Sequence, residues 1–346
     1  MDELALLTGL LQLYSPTGDE AKAVEYLVAE MAAAGLRART DDAGNAIGEI
    51  GKGEETIVLL GHIDTVPGFI PVQQAGDVLT GRGAVDAKGP LAAFTSAAVR
   101  AAPELKNRRV IVIGAVGEEG DSRGAQFIKD RYRPALTIIG EPSGWEKVTL
   151  GYKGSAWFEY KVRRELAHTA AQNQSACEAA IAYWNGLAAW AAARNEGQPR
   201  IFEQVSPTLR GMQSGSDGFV ETAELRFGVR LPPGMAVDEL TNTLRGLAQD
   251  ADVRLIEGVP AYRGEKNTPL VRAFLAAIRQ AGGTPGFTLK TGTSDMNLVA
   301  PVWGTPILAY GPGDSSLDHT PQENILISEY ERAIQVLTGV LTTLAA

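Results

Sequence analysis

The chain has 346 residues, which is more than a single hydrophobic core usually supports and therefore predicts two domains. Apolar residues make up 45% and charged residues 21%, an ordinary globular composition that excludes wholesale disorder and fibrous repeats. The formal charge of -9 argues against a general nucleic-acid binder, because phosphate contacts need clustered Lys and Arg.

Nothing in the sequence suggests export or membrane insertion. The single cysteine, Cys177, cannot form an internal disulfide, and no basic-then-apolar signal precedes the polar stretch 15–20. No apolar run approaches the roughly 18 residues needed to span a bilayer. We therefore expect a cytoplasmic protein that binds neither membranes nor nucleic acid.

The first part of the chain alternates between helical and strand patterns. Apolar residues recur at helical spacing in some segments, while others are short apolar runs bounded by Gly and charge, as in buried strands. This alternation indicates an α/β sheet covered on both faces. The predicted helices are Leu4–Leu13, Ala23–Met31 and Pro90–Ala101, and the predicted strands are Ala46–Ile50, Thr56–Leu60, Arg109–Ala115 and Leu136–Ile139.

The middle of the chain has a different pattern, with half-exposed alternating strands and two helices, which predicts an α+β insert with antiparallel strands. The predicted elements are the strands Trp157–Val162, Ala223–Arg230 and Val253–Glu257 and the helices Ser175–Ala193 and Val237–Ala248. The α/β pattern then returns with the helices Pro269–Gln280 and Ser328–Leu344 and the strand Pro306–Tyr310. We therefore predict a discontinuous domain of residues 1–153 and 264–346, interrupted by a domain of residues 154–263.

Five short polar motifs follow apolar runs, which places their side chains at the carboxyl ends of strands, where open α/β sheets build their sites. Alone, a His-x-Asp or a Glu-Glu is usually structural. Two of only three histidines in the chain, however, lie in these Gly/Pro-bounded loops beside acidic residues, so we interpret the set as one site. The motifs are Gly61–Pro67, Gly81–Gly89, Gly117–Gly120, Gly140–Pro142 and Asp318–Pro321.

The side chains of these motifs suit two divalent cations. Mixed imidazole and carboxylate ligands favour zinc, with cobalt or manganese compatible on chemical grounds. Asp86 lies in a Gly-rich turn that lets the backbone approach an ion, which suits a carboxylate bridging two metals about 3.5 to 4 Å apart. The predicted metal ligands are His62, Asp86, Glu119, Glu141 and His319.

Two other acidic residues receive catalytic roles. Asp64 lies on the same side of an extended segment as His62, so it can accept the second ring N–H and fix the histidine tautomer. Glu118 and Glu119 cannot both face one ion from a regular strand, so one of them is free to face the cleft. We assign the free one, Glu118, as the general base that takes a proton from the attacking water and delivers it to the leaving amine.

In order and spacing, these motifs resemble the co-catalytic zinc family of aminoacylases, carboxypeptidase G, acetylornithine deacetylase and succinyl-diaminopimelate desuccinylase. The resemblance covers nearly the whole chain. It implies the ligand roles above, with Asp86 bridging and the peptide bond after it cis. It also implies a zinc-peptidase-like catalytic domain, with a mixed, mostly parallel sheet flanked by helices, and an α+β ferredoxin-like insert that acts as a lid and forms a homodimer.

Further residues are assigned to the catalytic reaction and the substrate. The resemblance implies a lid histidine that steadies the oxyanion in the partner subunit's site. His168 matches by position, although its flanks depart from the commoner His-Ser-x-Pro form, and a surface histidine is the alternative. Arg230, at a strand end, is fit to clamp a substrate carboxylate, with a structural ion pair as the alternative. The polar loop 290–297 is fit to line the pocket, or is an ordinary turn; its candidate substrate-binding residues are Gly292, Thr293, Ser294 and Asp295.

Three segments, 81–91, 291–297 and 311–321, most resemble one branch of the family. That branch releases lysine, and in some organisms ornithine, from the γ-carboxyl of the C-terminal glutamate of the acidic amino-group carrier protein LysW, in lysine or arginine biosynthesis. An acidic enzyme repels an acidic carrier unless basic residues gather at the mouth of the cleft. The candidate basic residues are Lys153, Arg163, Arg164 and Arg210.

Two rival functions remain open. One is a small-molecule deacylase, such as acetylornithine deacetylase or succinyl-diaminopimelate desuccinylase, or a dipeptidase of the same family. The other is a binding protein that kept the fold but lost catalysis, which would lack a ligand or the base. None of the predicted ligands is missing from the sequence, and we therefore expect an enzyme.

Overall fold

The computed structural model describes residues 1–170 and 173–345. They form two compact units. Unit 1 contains Met1–Gly151, Gly264–Leu289 and Ser294–Ala346, and unit 2 contains Tyr152–Arg263 and Lys290–Thr293.

Helices and strands alternate along both units. The helices are α1 (Glu3–Gln12), α2 (Ala21–Ala33), α3 (Lys88–Ala101), α4 (Arg123–Ile128), α5 (Ala176–Arg194), α6 (Val237–Leu247), α7 (Pro269–Gln280), α8 (Met296–Trp303) and α9 (Ile327–Ala345). The strands are β1 (Arg37–Thr40), β2 (Ala46–Gly51), β3 (Glu55–His62), β4 (Gln73–Ala75), β5 (Val78–Thr80), β6 (Arg108–Ala115), β7 (Leu136–Gly140), β8 (Lys147–Tyr152), β9 (Gly154–Glu165), β10 (Ser206–Ser216), β11 (Val220–Leu231), β12 (Asp252–Val259), β13 (Tyr262–Arg263), β14 (Gly286–Lys290), β15 (Ile307–Ala309) and β16 (Asn324–Leu326).

Unit 1 is built on a mixed sheet in which the strands run in the order β1-β2-β6-β3-β7-β15-β8, with β14 beside β8. The four central strands β6, β3, β7 and β15 are parallel to one another, whereas β1, β2 and β8 pair antiparallel. Strand β3 is buried from Thr56 to its end, as expected of a parallel strand covered on both faces. The strands β4, β5 and β16 form a small antiparallel sheet of their own.

Glycine lets helix α3 lie close to the end of the central sheet. Gly61 on β3 and Gly140 on β7 are direct neighbours in the parallel pairing. A Cβ atom at Gly140 would lie only 2.9 Å from a ring carbon of Phe94 on α3 and 3.0 Å from the Cα of Gly61. The absence of a side chain therefore allows the Phe94 ring to pack against the sheet just before Glu141.

Unit 2 has its own antiparallel sheet and its own core. Its strands run in the order β10-β11-β9-β12, and the chain order β9-α5-β10-β11-α6-β12 is that of a ferredoxin-like fold. Phe158 and Phe227 stack at 5.6 Å between ring centroids, and Tyr183 from α5 stacks on Tyr160 at 4.2 Å. Together, the mixed, mostly parallel sheet and the separate antiparallel sheet confirm the predicted fold class.

Several elements of the structure were not predicted from the sequence, and β10 and α8 show why. Strand β10 contains Pro207 and two glycines and is largely exposed, so it lacks the apolar alternation on which a strand prediction depends. Helix α8 has eight residues and contains Pro301, which hides its helical pattern, and it begins inside the segment 290–297 that we had interpreted as a loop. Among the described residues, the structure contains no helix with the length and apolar character that a membrane crossing requires.

Replacing Gly140 with alanine should destabilise unit 1. The added methyl group would meet Phe94 and the β3 backbone at distances that force one of them to move, and such overpacking costs about 1–3 kcal/mol. We expect a lower urea midpoint, measured by circular dichroism. As the matched control, Gly339→Ala adds its methyl group at 3.5 Å from Ala277 inside α9, so it should be neutral or stabilising. Equal midpoints for the two variants would contradict the packing argument.

Candidate metal centre

Three neighbouring parallel strands bring most of the predicted ligands to one edge of the sheet. His62 is the last residue of β3, and it pairs with Ala115 at the end of β6. The pair Glu118 and Glu119 follows β6 after a short turn, and Glu141 directly follows β7. Because carboxyl ends of adjacent parallel strands meet, residues distant in the sequence become neighbours.

The carboxylate of Asp86 lies between the two histidines. Its Oδ1 is 3.1 Å from His62 Nε2, and its Oδ2 is 3.1 Å from His319 Nε2. The same nitrogen of His319 is 2.9 Å from Glu119 Oε1. One carboxylate thus faces both imidazoles, which is the arrangement expected of a bridging ligand.

Two overlapping groups of side chains are close enough to hold a metal ion each. In each group the ligand atoms lie within 4.8 Å of one another. The groups are His62, Asp86 and Glu141, and Asp86, Glu119 and His319. Imidazole nitrogens with carboxylate oxygens are a donor set that zinc and related ions accept, so the residues fit a pair of divalent cations. The structure brings all five predicted ligands together.

A third group contains Glu118 with His62 and Glu119. Glu118 Oε2 is 4.0 Å from His62 Nε2, whereas Glu119 contacts His319 directly. This difference supports Glu119 as the ligand and leaves Glu118 beside the two groups. Burial raises the pKa of Glu118 well above its ordinary value; the charge of His62 opposes the shift, and those of Glu141 and Asp295 add to it. A carboxyl with a raised pKa is suited to accept and return a proton.

Asp64 lies beside His62, as predicted, and it also contacts the turn that carries the two glutamates. The Nδ1 atom of His62 is 3.0 Å from the backbone carbonyl of Asp64 and 3.6 Å from its carboxylate, so the carbonyl is the nearer acceptor. The carboxylate also accepts the backbone N–H groups of Glu118 at 3.0 Å and Glu119 at 3.1 Å, and the hydroxyl of Thr17 at 2.7 Å. Asp64 therefore joins the end of β3 to the turn that carries both glutamates.

The carboxylates change the ionisation of the histidines. Burial alone would lower the pKa of His62, but hydrogen bonds with Asp64 and Asp86 raise it well above its ordinary value. Hydrogen bonds with Asp86 and then Glu119 raise the pKa of His319 to about 10. Because histidine binds a metal only as a neutral ring, cations at this position would take the place of the ring protons.

The backbone is unusual at two of the predicted ligands. The peptide bond between Asp86 and Ala87 is cis, as the family resemblance implied. His319 has a φ of 62°, in the left-handed region that few residues other than glycine adopt. A left-handed conformation at a residue other than glycine is retained where the surrounding structure enforces it, and such residues concentrate at functional sites.

Sequence reasoning missed two buried residues around Asp86. Arg82 lies within the motif Gly81–Gly89, but no role was assigned to it. Glu323 lies just beyond the motif that contains His319. Glu323 is only 1% exposed and accepts the backbone N–H of Asp86. A single buried acid belongs to no helical or strand pattern that a sequence can reveal. The one sequence signal that could have identified Glu323 is its position four residues after His319.

Two of the predicted substrate-binding residues lie in unit 1 at the start of α8. Ser294 is buried, and its hydroxyl accepts the backbone N–H of Met296. Asp295 is buried as well, and its Oδ1 atom has no hydrogen-bond partner among the described residues. Burial raises the pKa of Asp295 to about 7, with the charge of Asp64 adding to the shift and that of His62 opposing it.

The other residues predicted to act on or bind the substrate lie in unit 2. Arg230 donates to the hydroxyl of Thr293 at 3.2 Å, next to Gly292, and its pKa is lowered by burial and by the charge of Arg210. His168 is exposed after β9, where its Nδ1 accepts the backbone N–H of Ala170 at 3.1 Å. In the neutral ring this contact leaves the proton on Nε2, which is then a donor.

Two of the four basic residues proposed for the carrier are already engaged. Lys153 was one candidate for the mouth of a cleft, but its side chain is fully buried and its ammonium donates to the backbone carbonyls of Ile201 and Gln204. This burial excludes Lys153 as a contact for the carrier. Arg164 forms two hydrogen bonds with Asp250, at 2.8 and 2.9 Å. The remaining two, Arg163 and Arg210, are exposed.

Curated relatives match the chain over its whole length. A protein of Deinococcus radiodurans named LysW-lysine hydrolase is 43% identical, and the match covers 98% of this chain and 96% of that protein. A LysW-lysine/LysW-ornithine hydrolase of Saccharolobus islandicus is 30% identical over 94% of this chain and 90% of that protein.

Solved structures of the same fold include aminopeptidase PepT from Bacillus cereus, with a TM-score of 0.81 at 18% identity over 100% of both chains. Another is the YXEP protein of Bacillus subtilis, described as a dinuclear metal binding peptidase from the M20 family, with a TM-score of 0.75 at 15% identity over 99% of this chain and 97% of that one. The model of peptidase family M20/M25/M40 matches residues 58–343. The chain belongs to this peptidase family.

Proposed function

We propose that this protein is a metal-dependent amide hydrolase that releases lysine or ornithine from the C-terminal glutamate of an acidic LysW-type carrier protein. The similarity to LysW-lysine hydrolase along the full length of both chains is the observation that carries the proposal. A biosynthetic role of this kind would place the enzyme in the cytoplasm. The bond cleaved would be the amide between the glutamate γ-carboxyl and the side-chain amine of the released amino acid.

The arrangement around Asp86 supports the chemistry of amide hydrolysis. When bound, two divalent cations, which we propose to be zinc with cobalt as an alternative, supply Lewis-acid chemistry that polarises the carbonyl and acidifies water. We assign His62 and Glu141 to one cation, Glu119 and His319 to the other, and Asp86 to both. Each of the two groups then contributes one imidazole and two carboxylates, counting the shared one.

Glu118 is the proposed proton carrier. It lies beside the ligand groups without being the partner of either histidine at hydrogen-bond distance, and its raised pKa favours proton uptake. Its carboxylate takes a proton from the attacking water and gives it to the amine that leaves. The backbone of Glu118 is held by Asp64, so its position follows that of the β3 end.

The proposed substrate carries two charged groups, and one predicted residue suits each of them. The α-amino group of lysine is a cation, and the unpartnered carboxylate oxygen of Asp295 is a candidate acceptor for it. The α-carboxylate of the carrier glutamate is an anion, and the guanidinium of Arg230 suits it. The nearby charge of Arg210 repels that guanidinium, and an anion would offset this repulsion. The exposed cations Arg163 and Arg210 are the remaining candidates for contact with the acidic carrier.

His168 and a homodimer complete the proposal. The Nδ1 contact with Ala170 leaves the opposite ring nitrogen as a donor, which suits an oxyanion that forms at the attacked carbonyl. The family resemblance is the basis for placing this donor in the site of a second subunit. The dimer would form through unit 2.

The main rival is a small-molecule deacylase or dipeptidase with the same centre. The proposed carrier hydrolase and this rival would use the same metal ligands and the same base. Their substrates would differ only in the acyl group. Substrate turnover is therefore what separates them. A protein that binds metals without hydrolysing any of these substrates would instead fit the binding-protein alternative.

Replacing the shared carboxylate should affect both cations. We expect Asp86→Asn to lower the content of both metals, because a neutral amide cannot bridge two cations as a carboxylate does. In contrast, Glu141→Gln should weaken one ion and leave the other. Metal content of the purified full chain, measured by mass spectrometry after dialysis, checks this. Two metals retained by Asp86→Asn, or both lost in Glu141→Gln, would contradict the assignment.

Removing the base should abolish turnover without removing the metals. We expect Glu118→Ala and the isosteric Glu118→Gln to lower kcat by about 100- to 10,000-fold, the usual contribution of a general base. Metal content should stay at the parent level. Glu25→Gln, an exposed substitution on α2, is the control for the loss of one acidic charge. Loss of metal from the Glu118 variants would show that Glu118 is the ligand.

A panel of substrates should separate the proposed function from its rivals. We expect hydrolysis of LysW-linked lysine or ornithine with a higher kcat/KM than that of acetyl-ornithine, succinyl-diaminopimelate or simple dipeptides. Released amino acid is quantified under identical metal conditions for every substrate. A preference for a small acyl donor would reject the carrier substrate while leaving the metal chemistry intact.

A further inference from the structure

A buried ion pair lies behind the shared carboxylate, and the proposed reaction assigns no task to it. Arg82 Nη1 is 2.8 Å from Glu323 Oε2. The two side chains are 7% and 1% exposed, respectively. Burying two charges carries a large desolvation cost, and a hydrophobic pair of similar volume often stabilises a fold equally well. Stability alone therefore gives little reason for this pair.

The second oxygen of Glu323 holds the turn that carries Asp86. Glu323 Oε1 accepts the backbone N–H of Val85 and the backbone N–H of Asp86, both at 3.0 Å. Hydrogen bonds to an ionised acceptor are shorter and stronger than neutral ones. Two such bonds to consecutive amides restrict the orientation of this turn, and thereby the direction of the Asp86 side chain.

The guanidinium of Arg82 extends this connection to two other segments. Its Nε donates to the carbonyl of Gly68 at 2.9 Å, and its Nη1 donates to the carbonyl of Thr320 at 3.2 Å as well as to Glu323. Thr320 directly follows His319. The ion pair thus joins the turn of Asp86 to the segment of His319, the two groups whose side chains meet at 3.1 Å.

We propose that Glu323 and Arg82 are positioning residues for the dinuclear centre. They fix the carboxylate of Asp86 between the two cation positions and hold the His319 segment against it. Because Asp86 is common to both ligand groups, loss of this support weakens both cations rather than one. This inference rests on the proposed metal centre and is independent of the proposed carrier substrate.

The test is a titration of the metal-stripped full chain with zinc, followed by calorimetry, and with cobalt, followed by its visible absorption. We expect Glu323→Ala to weaken both binding steps by about 10- to 100-fold, the usual effect of losing a residue that orients a ligand, and to alter the cobalt spectrum. Glu323→Gln should lie between Glu323→Ala and the parent, because its amide oxygen still accepts the two N–H groups. Arg82→Lys should weaken binding too, since an ammonium cannot reproduce the guanidinium geometry.

Two controls separate positioning from general destabilisation. Leu337→Ala removes a fully buried side chain from α9 and lowers stability without touching the ion pair. Glu141→Gln should weaken a single step. Parent-like affinity in Glu323→Ala, or a loss no greater than that of Leu337→Ala, would overturn the inference; if Glu323→Ala does not fold, Glu323→Gln and Arg82→Lys decide by the same criterion. A parent chain that binds neither ion would contradict the centre itself.

Discussion

Both histidines of the centre converge on one carboxylate. Each imidazole places its Nε2 atom 3.1 Å from a different oxygen of Asp86, although His62 and His319 are separated by most of the chain. The position of this carboxylate therefore decides whether two ligand groups exist at all. The hydrogen bonds from the backbone N–H groups of Val85 and Asp86 to Glu323 hold the turn that carries this carboxylate.

A second constraint comes from the parallel sheet. Strands β6, β3 and β7 end side by side, which is why His62, Glu119 and Glu141 meet without long connecting loops. The buried Asp64 then ties the end of β3 to the turn after β6 through two backbone N–H groups. The spacing between the imidazole of His62 and the two carboxylates therefore follows from the pairing of these strands.

The sequence allowed good prediction where the chemistry and the fold use the same signal. Polar residues that follow apolar runs marked His62, Glu119 and Glu141, because the ends of parallel strands form this part of the site. Asp86 and His319 lie in turns outside the sheet, and their motifs marked them by histidine and carboxylate content rather than by a preceding strand of the central sheet. The sequence did not reveal individual contacts. The distances from His62 Nδ1 to the carbonyl and to the carboxylate of Asp64 depend on local torsions, and Glu323 lies in no motif. The burial of Lys153 was missed for a related reason, since the backbone carbonyls that satisfy its ammonium leave no mark on the sequence.

The point at which the chain leaves unit 1 has an evolutionary consequence. The N–H of Gly264 donates to the carbonyl of Leu150 at 2.7 Å, so the exit toward β9 and the return from β13 are adjacent. A segment whose two ends are this close can be lengthened, shortened or exchanged by recombination while the strands on either side keep their pairing. Residues 152–263 can therefore diverge rapidly between descendants whose ligand groups in unit 1 stay unaltered.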